Sequence, residues 1–490
     1  MSLNNLVKRL QDIMRNDAGI NGDAQRIEQM VWILFLKVYD AKEEIWEFYD
    51  ENYTSIIPEE LRWRNWAVDH KDGKALTGDA LLDFVNGKLF PTLKAIEIDE
   101  NTPMSQIIVR TAFEDNNNYM KDGILLRQVI NVIDEIDFEE YEDRHAFGEI
   151  YETILRSLQS AGNSGEFYTP RAVTDFMVQM IKPKLGESIA DFACGTGGFL
   201  LAAFEHMKPQ SREIEKQNFL KNRAFFGADN TPLVVTLASM NLYLHDIGTA
   251  KSPIVCQDSL IDKSDKMFNV ILANPPFGTR PQGSVEVYAN RPEFVKTSDN
   301  QVNFLQHIMS IVKDKGRVGV VLPDNVLTDG GATAKVREKL LKDFNLHTIL
   351  RLPTGIFYAN GVKTNVLFFD KGNPTKDIWV YDYRTGIKHT LATKPMTREN
   401  LDDFVASYCS GHIQDRVQTY SEENPNGRWR KFTEEEVYSR DQLKLDFKWL
   451  DLGAKDDRTI TEILNDMQSK SAAITDAVTK LQEILGGIDL

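Results

Sequence analysis

One tetrapeptide combines groups that could bind an aromatic amine: Asn274, Pro275, Pro276 and Phe277. The amide oxygen of Asn274 and the main-chain carbonyl of Pro275 can both accept hydrogen bonds from an NH2 group, while the Phe277 ring can stack on a planar base. The lone pair of an aromatic amine is delocalised into its ring. Two acceptors on the hydrogens draw the nitrogen toward tetrahedral geometry and make it a better nucleophile. Such a turn can also merely end a strand, so it establishes no function alone.

The tetrapeptide follows a segment that predicts a buried strand. Residues Phe268 to Ala273 are mostly apolar and include β-branched side chains, as in a parallel strand covered on both faces. Proline has no N–H for a strand ladder and forces the preceding residue into an extended conformation, so the strand has to end there. Open α/β sheets bind ligands at the carboxyl ends of their strands, and the tetrapeptide occupies such a position.

A glycine-rich turn is a second candidate binding element. The predicted strand Ser188–Phe192 carries Asp191 near its end and leads into a turn with Gly195, Thr196 and Gly197, before a predicted helix. Glycines let a ligand approach the backbone, and the helix start offers free N–H groups. No Lys-Ser/Thr pair follows, so this is not an ATP phosphate loop, nor does the spacing match the dinucleotide fingerprint. The Asp191 carboxylate suits a cationic or hydroxyl-bearing ligand.

Two further carboxylates follow the next predicted strands. Asp229 ends the strand that begins at Ala224, in the position where an acidic residue commonly binds the ribose hydroxyls of an adenosine. Asp258 follows the strand Ile254–Cys256 and could accept a hydrogen bond from an adenine amine. Either carboxylate could instead cap its own loop. Three acidic residues at successive strand ends favour a shared binding site.

The segment upstream of the glycine turn begins with a helix start. Thr169 is predicted to be the N-cap and Pro170 the first residue of a helix that continues over Ala172–Lys182. This assignment explains Thr169 and Pro170 structurally. It leaves Phe167, Tyr168 and Arg171 at a loop edge without a structural role.

Strands and helices continue to alternate beyond the tetrapeptide, which predicts a doubly wound α/β sheet. Predicted strands and one helix occupy Gly316–Leu322, Ala332–Phe344, Thr348–Leu352, Val366–Phe369 and, as an edge strand, Ile378–Tyr381. The polar stretch Thr279–Asn300, with Arg280, Arg291 and Lys296, is predicted to be a lid or a substrate-contacting loop.

The pattern predicts three regions: a helical region over residues 1–145, the α/β domain over 146–390 and a carboxyl-terminal region over 391–490. In the first, Ile27–Tyr39 is a strongly apolar helix for which Asp23 is a plausible cap. In the third, an irregular polar segment precedes apolar residues at alternating steps of four and three between Ile460 and Leu485. That spacing predicts a coiled-coil helix for a partner, although packing on its own chain is an alternative.

Composition limits the class of protein. The chain has 490 residues, is 42% hydrophobic and carries a net charge of −16. Such acidity argues against gripping nucleic acid unaided, because phosphate contacts need clustered Lys and Arg, but it allows a more basic partner. The apolar run Met30–Leu36 is too short to span a membrane. Three isolated cysteines and no apolar amino-terminal signal predict a cytoplasmic protein without structural zinc or another metal.

In combination, the motifs resemble the S-adenosylmethionine-dependent N6-adenine DNA methyltransferases, and more closely the modification subunits of type I restriction–modification systems. The resemblance rests on Phe167–Arg171, Asp191–Phe199, Asp229, Asp258, Asn274–Phe277, Gly316–Leu327 and Leu350–Phe357. One position departs from the family, which usually has proline where this chain has Phe192. Because the glycines remain intact, we expect altered packing there rather than lost binding.

The resemblance implies a doubly wound, Rossmann-like methyltransferase domain and a role for each motif. It implies that Asn274, Pro275 and Pro276 activate the N6 amine of an adenine flipped out of DNA and that Phe277 stacks on the base. The residues implied to bind S-adenosylmethionine are Phe167 and Thr169 at its methionine side, Asp191, Gly195, Thr196 and Gly197 at its amino-acid part, Asp229 at the ribose and Asp258 at the adenine ring.

The resemblance also implies partners. Family members work on double-stranded DNA as two modification subunits with one specificity subunit, and a restriction/translocase subunit can join. Two other functions remain open on the sequence. The acceptors would also fit a protein glutamine amide, although enzymes of that type usually have tyrosine at the position of Phe277. The chain could also be an assembly subunit without catalysis, against which the intact tetrapeptide and glycines argue.

Overall fold

The computed structural model of the chain describes residues 3–71, 73–98, 102, 104–114, 116–136, 169–248, 251–279, 287–288, 291–357, 361–390, 394–409 and 412–450. Phe167, Arg280 and the predicted coiled-coil helix lie outside the described residues. Among the described helices, none combines the length and the apolar character that crossing a membrane requires.

The amino-terminal region is helical, as predicted. Its α-helices are α1 Leu3–Met14, α2 Gly22–Tyr49, α3 Trp63–Trp66, α4 Gly78–Phe84, α5 Phe90–Lys94, α6 Met104–Glu114 and α7 Gly123–Asp134, with a π-helical turn, Val85–Leu89, between α4 and α5. The long helix α2 buries Trp32 against Phe90 and Phe113, with ring centroids 5.1 and 6.3 Å apart. The predicted cap at Asp23 is wrong, since the helix already begins at Gly22.

A nine-stranded sheet forms the second part. Its strands are β1 Ile189–Asp191, β2 Phe225–Asp229, β3 Ile254–Cys256, β4 Phe268–Ala273, β5 Val312–Pro323, β6 Phe344–Leu352, β7 Thr364–Lys371, β8 Ile378–Asp382 and β9 Trp429–Phe432. The strand order is β3-β2-β1-β4-β5-β7-β6-β8-β9. Strands β1, β2, β3, β4 and β5 are all parallel to one another, and β7 runs antiparallel to its neighbours β5 and β6. The predicted α/β class is confirmed.

Helices cover this sheet. They are α8 Arg171–Ile181, α9 Gly198–Met207, α10 Ile214–Asn222, α11 Pro232–Leu244, α12 Asn300–Ile311, α13 Asp324–Thr328, α14 Ala332–Asp343, α15 Asp402–Tyr408 and α16 Glu434–Tyr438. Helix α9 is buried along most of its length, because it packs on both β1 and α8. It begins directly after the glycine turn and therefore fixes the end of that turn.

The sheet extends beyond its predicted edge. The strand predicted over Ile378–Tyr381 is present as β8, but it does not lie at the edge of the sheet, because it pairs with β6 on one side and with β9 on the other. The edge strand β9 comes from the segment predicted to be irregular. Its Trp429 is fully buried and stacks on Trp379 with ring centroids 5.2 Å apart. Burial of this indole explains why the polar segment returns to the sheet.

Helix α11 packs on both parts of the molecule. Its residues Leu237, Met240, Tyr243 and Leu244 belong to the core of the amino-terminal helices, whereas Ala238 and Leu242 belong to the core of the sheet. The buried Lys42 of α2 donates a hydrogen bond from Nζ to the Leu244 carbonyl and lies 3.7 Å from the Asp246 carboxylate. The ammonium thus binds the carboxyl end of α11, where the helix dipole is negative.

Replacing Lys42 with methionine is expected to destabilise the chain. The substitution keeps the apolar stem but removes the donor to the Leu244 carbonyl and the nearer of two cations beside the Asp246 carboxylate, the other being Lys221 at 4.0 Å. This loss is expected to cost about 1–3 kcal/mol of unfolding free energy. Urea unfolding measures this change. The matched control is Lys339→Met, which breaks an exposed pair with Asp343 on α14 and is expected to change stability by less than about 0.5 kcal/mol. Equal effects of the two substitutions would contradict the role of Lys42.

Candidate active site

The predicted site residues lie along one edge of the sheet. Strands β3, β2, β1 and β4 are neighbours and run in the same direction, so their carboxyl ends meet at that edge. The glycine turn follows β1, Asp229 ends β2, Asp258 follows β3 and Asn274 follows β4. The sheet therefore brings together groups that are distant in the sequence.

The glycine turn has a backbone that only glycine adopts readily. Gly195 and Gly197 have φ angles of +52° and +82°, in the left-handed region. The Gly197 N–H donates to the Cys194 carbonyl at 2.8 Å, and α9 begins at the next residue. The Gly195 N–H donates to Oδ2 of Asp229 at 3.3 Å, which ties the turn to the end of β2.

Asp191 and Asp229 are buried carboxylates beside this turn. Burial, followed by the nearby Asp229 carboxylate, raises the pKa of Asp191 to about 8. Burial also raises the pKa of Asp229, although its oxygens accept from the N–H groups of Thr231 and Gly195. Burial and the closeness of the two groups make it unfavourable for Asp191 and Asp229 to be negatively charged at the same time. The pair therefore suits a ligand that brings an ammonium group and hydroxyl groups.

Asp258 makes the loop-capping contact that its sequence position also allowed. It is half-buried, and its Oδ1 accepts from the Leu260 N–H at 3.0 Å. The Asp258 N–H in turn donates to Asp262 Oδ2 at 3.1 Å. The capping contact fixes the loop after β3 at the site edge, and binding of an adenine amine by Asp258 stays a prediction.

The turn after β4 is held from two sides. Strand β4 ends at Ala273, as predicted, and the Gly278 N–H donates to Oε1 of the buried Gln301 at 3.1 Å. The Asn300 N–H donates to the Gly278 carbonyl at 3.0 Å. Both Asn300 and Gln301 start helix α12, so this helix fixes the far end of the tetrapeptide. The role of Gln301 could not be predicted, because its contact with Gly278 spans 23 residues of the chain.

The amide of Asn274 is oriented by Thr169. Asn274 Nδ2 donates to Thr169 Oγ1 at 3.1 Å, whereas Asn274 Oδ1 is buried and accepts no hydrogen bond from the residues that the structure describes. An unpaired buried acceptor costs free energy, so its presence points to a donor that arrives with a ligand. Phe277 lies half-buried nearby in sequence, Pro275 is buried and Pro276 is exposed.

The predicted N-cap at Thr169 is wrong by one position. Helix α8 begins at Arg171, with Pro170 at the N-cap. The Thr169 hydroxyl is consequently free of capping and reaches Asn274. Arg171, which had no predicted structural role, lies 3.8 Å from Asp175 one turn along the helix.

The loop prediction for Thr279–Asn300 is wrong for Arg291. Its guanidinium is buried and donates to the carbonyls of Ser259, Leu260 and Asp262. Arg291 thus fastens the described end of this stretch to the loop after β3 and cannot contact a substrate. Lys296 is exposed, as a loop residue would be.

Phe192 takes part in an aromatic cluster under the glycine turn. Its ring centroid lies 5.3 Å from that of Phe226, 5.7 Å from Phe268 and 4.6 Å from the buried His307. Its carbonyl accepts a hydrogen bond from Ser259 Oγ at 2.8 Å. The residue that departs from the family pattern is thus packed among aromatic rings, and retained cofactor binding stays a prediction.

Known proteins match the whole chain. The family model described as N-6 DNA Methylase matches residues 142–444, and that described as HsdM N-terminal domain matches residues 3–133. The methylase subunit of the type I restriction enzyme EcoEI from Escherichia coli is 43% identical over 99% of this chain and 98% of its own length. The EcoKI methylase subunit from the same species is 30% identical, over 92% and 88%. This chain belongs to the N-6 DNA methylase family.

Solved structures agree with this assignment. A modification subunit of a putative type I restriction enzyme from Vibrio vulnificus YJ016 is 36% identical and has a TM-score of 0.73, over 89% of this chain and 92% of its own. A structure from a study of complex assembly in the type I restriction–modification system has a TM-score of 0.72 at 33% identity, over 100% and 99%. The chain is therefore a type I methylase subunit and an adenine-specific DNA methyltransferase that uses S-adenosylmethionine.

The residues at the sheet edge fit this cofactor. S-adenosylmethionine carries an ammonium group and ribose hydroxyls, which match the two buried carboxylates Asp191 and Asp229. Its adenosine and amino-acid parts need close approach to backbone, which the left-handed glycines Gly195 and Gly197 allow. The cofactor supplies an electrophilic methyl group on a sulfonium.

Proposed function

We propose that Asn274 and Pro275 accept the two N6 hydrogens of an adenine that has left the DNA helix, while Phe277 stacks on its face. The buried and unpaired Oδ1 of Asn274 carries this proposal. The Pro275 carbonyl is the second acceptor, and Pro276 keeps it in a fixed direction through its ring. The two hydrogen bonds move the nitrogen lone pair out of conjugation and toward the methyl donor.

The adenine has to leave the helix because its amine is otherwise paired and its faces are stacked. Much of the rate then comes from holding the amine in line with the methyl group, since such positioning replaces a bimolecular encounter. No general base is required before attack, because the proton is lost from the product nitrogen after the methyl group has transferred.

The cofactor residues are part of the same proposal. Asp229 holds the ribose hydroxyls, and Asp258 faces the adenine ring. The amino-acid part of the cofactor is proposed to contact Asp191, Gly195, Thr196 and Gly197. Phe167 and Thr169 are proposed to lie at its methionine side, where the hydroxyl of Thr169 also orients Asn274.

Cofactor affinity is expected to increase from pH 6 to pH 8. The pKa of Asp191 is raised to about 8, so the folded chain holds a proton there that an unfolded Asp, with a pKa near 3.9, would lose. Stability from this group therefore falls as pH rises through that window, and an arriving ammonium group lowers the pKa again. Binding is expected to release a fraction of one proton per cofactor on average. Calorimetry in buffers of different ionisation enthalpy measures this number. Proton uptake, or an unchanged pH dependence in Asp191→Asn, would contradict this assignment.

The acidic chain is proposed to read DNA only with partners. A net charge of −16 disfavours binding to DNA phosphates, so we assign sequence recognition to a specificity subunit. The proposed complex contains two methylase subunits and one specificity subunit. A restriction/translocase subunit is a further proposed partner. Native mass spectrometry of the co-expressed subunits measures the stoichiometry, and a single methylase subunit per complex would contradict it.

The direct test of the cofactor site is calorimetric titration of S-adenosylmethionine into the isolated chain. We expect binding by the wild type and a loss of affinity of at least about 100-fold in Asp229→Ala, because a buried ribose-binding carboxylate is removed. Equal binding by both would contradict the assignment of Asp229. Defined duplexes added at moderate salt should not be methylated by the isolated chain.

We further propose boundaries for the three regions of the chain and a location in the cell. The helical region ends near residue 145, and the methyltransferase region extends past residue 390, because β9 belongs to its sheet. The carboxyl-terminal region, with its heptad pattern, is proposed to contact partner helices. Three isolated cysteines support a cytoplasmic location.

A further inference from the structure

Asn241 is a polar residue in an apolar stretch of helix α11. Its side chain is fully buried, between Met240 and Leu242 in the sequence. Its Nδ2 donates to the carbonyl oxygen of Thr196 at 2.9 Å, over a separation of 45 residues. Its Oδ1 is buried and accepts no hydrogen bond from the described part of the chain.

This arrangement costs free energy at the helix. A buried amide that uses only its donor end leaves a desolvated acceptor unsatisfied by the described residues, and a leucine of similar shape would avoid that cost. The described benefit of the amide lies outside the helix, at Thr196. The contact of Asn241 with Thr196 therefore relates this residue to the glycine turn.

The turn needs an external anchor. Thr196 stands between Gly195 and Gly197, whose backbones are the least restricted of any residue type. A hydrogen bond to the carbonyl between them fixes the orientation of both adjoining peptide groups. The next residue of α11, Leu242, also packs close to the turn, since a Cβ on Gly197 would lie 3.5 Å from its Cγ.

Helix α11 is itself held at both ends. At its start, the Thr231 N–H donates to Asp229 Oδ1 at 3.0 Å, next to the proposed ribose site. At its end, Lys42 binds the Leu244 carbonyl, and Trp46 packs edge-on against Tyr243 with ring centroids 6.3 Å apart. The helix is therefore a rigid support that links the amino-terminal helices to the cofactor edge.

We propose that Asn241 is a positioning residue for the cofactor: it holds the Thr196 carbonyl and thereby keeps the glycine turn in its binding conformation. This inference rests on the proposed cofactor site. Because its described side-chain hydrogen bond is to the Thr196 carbonyl, we assign Asn241 no contact with the substrate or the reacting atoms. Its loss should therefore weaken cofactor binding without changing the rate of transfer once the cofactor is bound.

The test compares Asn241→Leu and Asn241→Ala with a matched control, Ser239→Ala. Leucine removes the donor and the unpaired acceptor together, and alanine removes both with a side chain too small to clash with the turn. Ser239 is a buried polar residue of the same helix whose Oγ lies 3.1 Å from Ser252 Oγ, away from the turn. Titration calorimetry, thermal unfolding and steady-state kinetics of the complete complex are measured for each variant.

Both Asn241 variants are expected to raise the dissociation constant and KM for S-adenosylmethionine about tenfold or more, with kcat at saturating cofactor unchanged. Ser239→Ala should bind as the wild type does. Asn241→Leu should unfold within a few degrees of the control, because it also removes an unpaired buried oxygen. Wild-type affinity in either folded variant would overturn the proposal, as would a fall in kcat with unchanged KM.

Hydrogen exchange separates this inference from the cofactor proposal. Amides of residues 195–198 should exchange faster in Asn241→Leu than in Ser239→Ala without any cofactor present. If the wild type binds no cofactor, the cofactor site fails, while the exchange rates still decide whether Asn241 holds the turn. Equal exchange rates in the two variants would overturn its role. If Asn241→Leu does not fold, Asn241→Ala is compared with the control in the same way.

Discussion

Replacing Asn274 with leucine is expected to lower the single-turnover rate of DNA methylation by the complete complex by at least about 100-fold, as removal of a preorganised hydrogen-bonding group does in other enzymes. Leucine has a similar shape but offers no acceptor to the N6 amine, whose lone pair then stays in the ring. Affinity for S-adenosylmethionine should stay within about threefold of wild type, because Asn274 binds the substrate amine.

The matched control for this substitution is Asn345→Leu. Asn345 lies near the start of β6, at the opposite edge of the sheet, and is half-buried as Asn274 is. It should methylate DNA at the wild-type rate. A similar loss in both variants would indicate a general effect of the substitution on the fold. Full activity of Asn274→Leu would remove this residue from the mechanism.

Replacing Thr169 with valine is expected to slow methyl transfer about tenfold or more, a barrier increase of roughly 1.4 kcal/mol. Valine keeps the shape of threonine but removes the oxygen that accepts from Asn274 Nδ2. The amide can then rotate, so that its NH2 group faces the target amine for part of the time. Single-turnover kinetics with the cofactor at saturation measure this change separately from binding.

Thr169→Ser is the informative comparison, because serine restores the hydroxyl without the methyl group. We expect its transfer rate to lie close to that of the wild type. If valine lowers cofactor affinity and leaves the transfer rate unchanged, Thr169 contributes only to cofactor binding. If serine is as slow as valine, the hydroxyl alone does not orient the amide, and the methyl group of Thr169 is needed as well.

The sequence was sufficient for the elements that depend on local patterns. The strand before Asn274 was predicted because proline ends a ladder, and β3 was predicted with its observed bounds, Ile254–Cys256. The edge location of Asp229 and Asp258 follows from the parallel order of their strands. Each of these inferences needs only neighbouring residues and the rule that parallel strands end together.

Contacts between distant segments could not be predicted. Thr169 looks like a helix cap in the sequence, and only the fold shows that its hydroxyl meets Asn274, 105 residues away. Arg291 looks like a loop cation in the sequence, yet it is buried and donates hydrogen bonds to three backbone carbonyls. The edge strand β9 was missed because Trp429 lies in a polar segment, and its burial depends on Trp379 of the neighbouring strand.

Asn241 shows the same limit within a helix. In the sequence it interrupts an apolar run, which signals a special role but does not identify the partner. Its hydrogen bond to Thr196 depends on how α11 crosses the glycine turn. Side chains that support a site from a second element therefore require the structure.

The measurement that tests the central claim most directly is identification of the methylated product. The co-expressed methylase and specificity subunits are incubated with duplex DNA and S-adenosylmethionine carrying a labelled methyl group, and DNA nucleosides and protein are then analysed by mass spectrometry. We predict labelled N6-methyladenine with the wild type and none above background with Asn274→Leu. Label on protein glutamine, or N6-methyladenine formed equally by both chains, would contradict the assignment of the Asn274 turn to adenine.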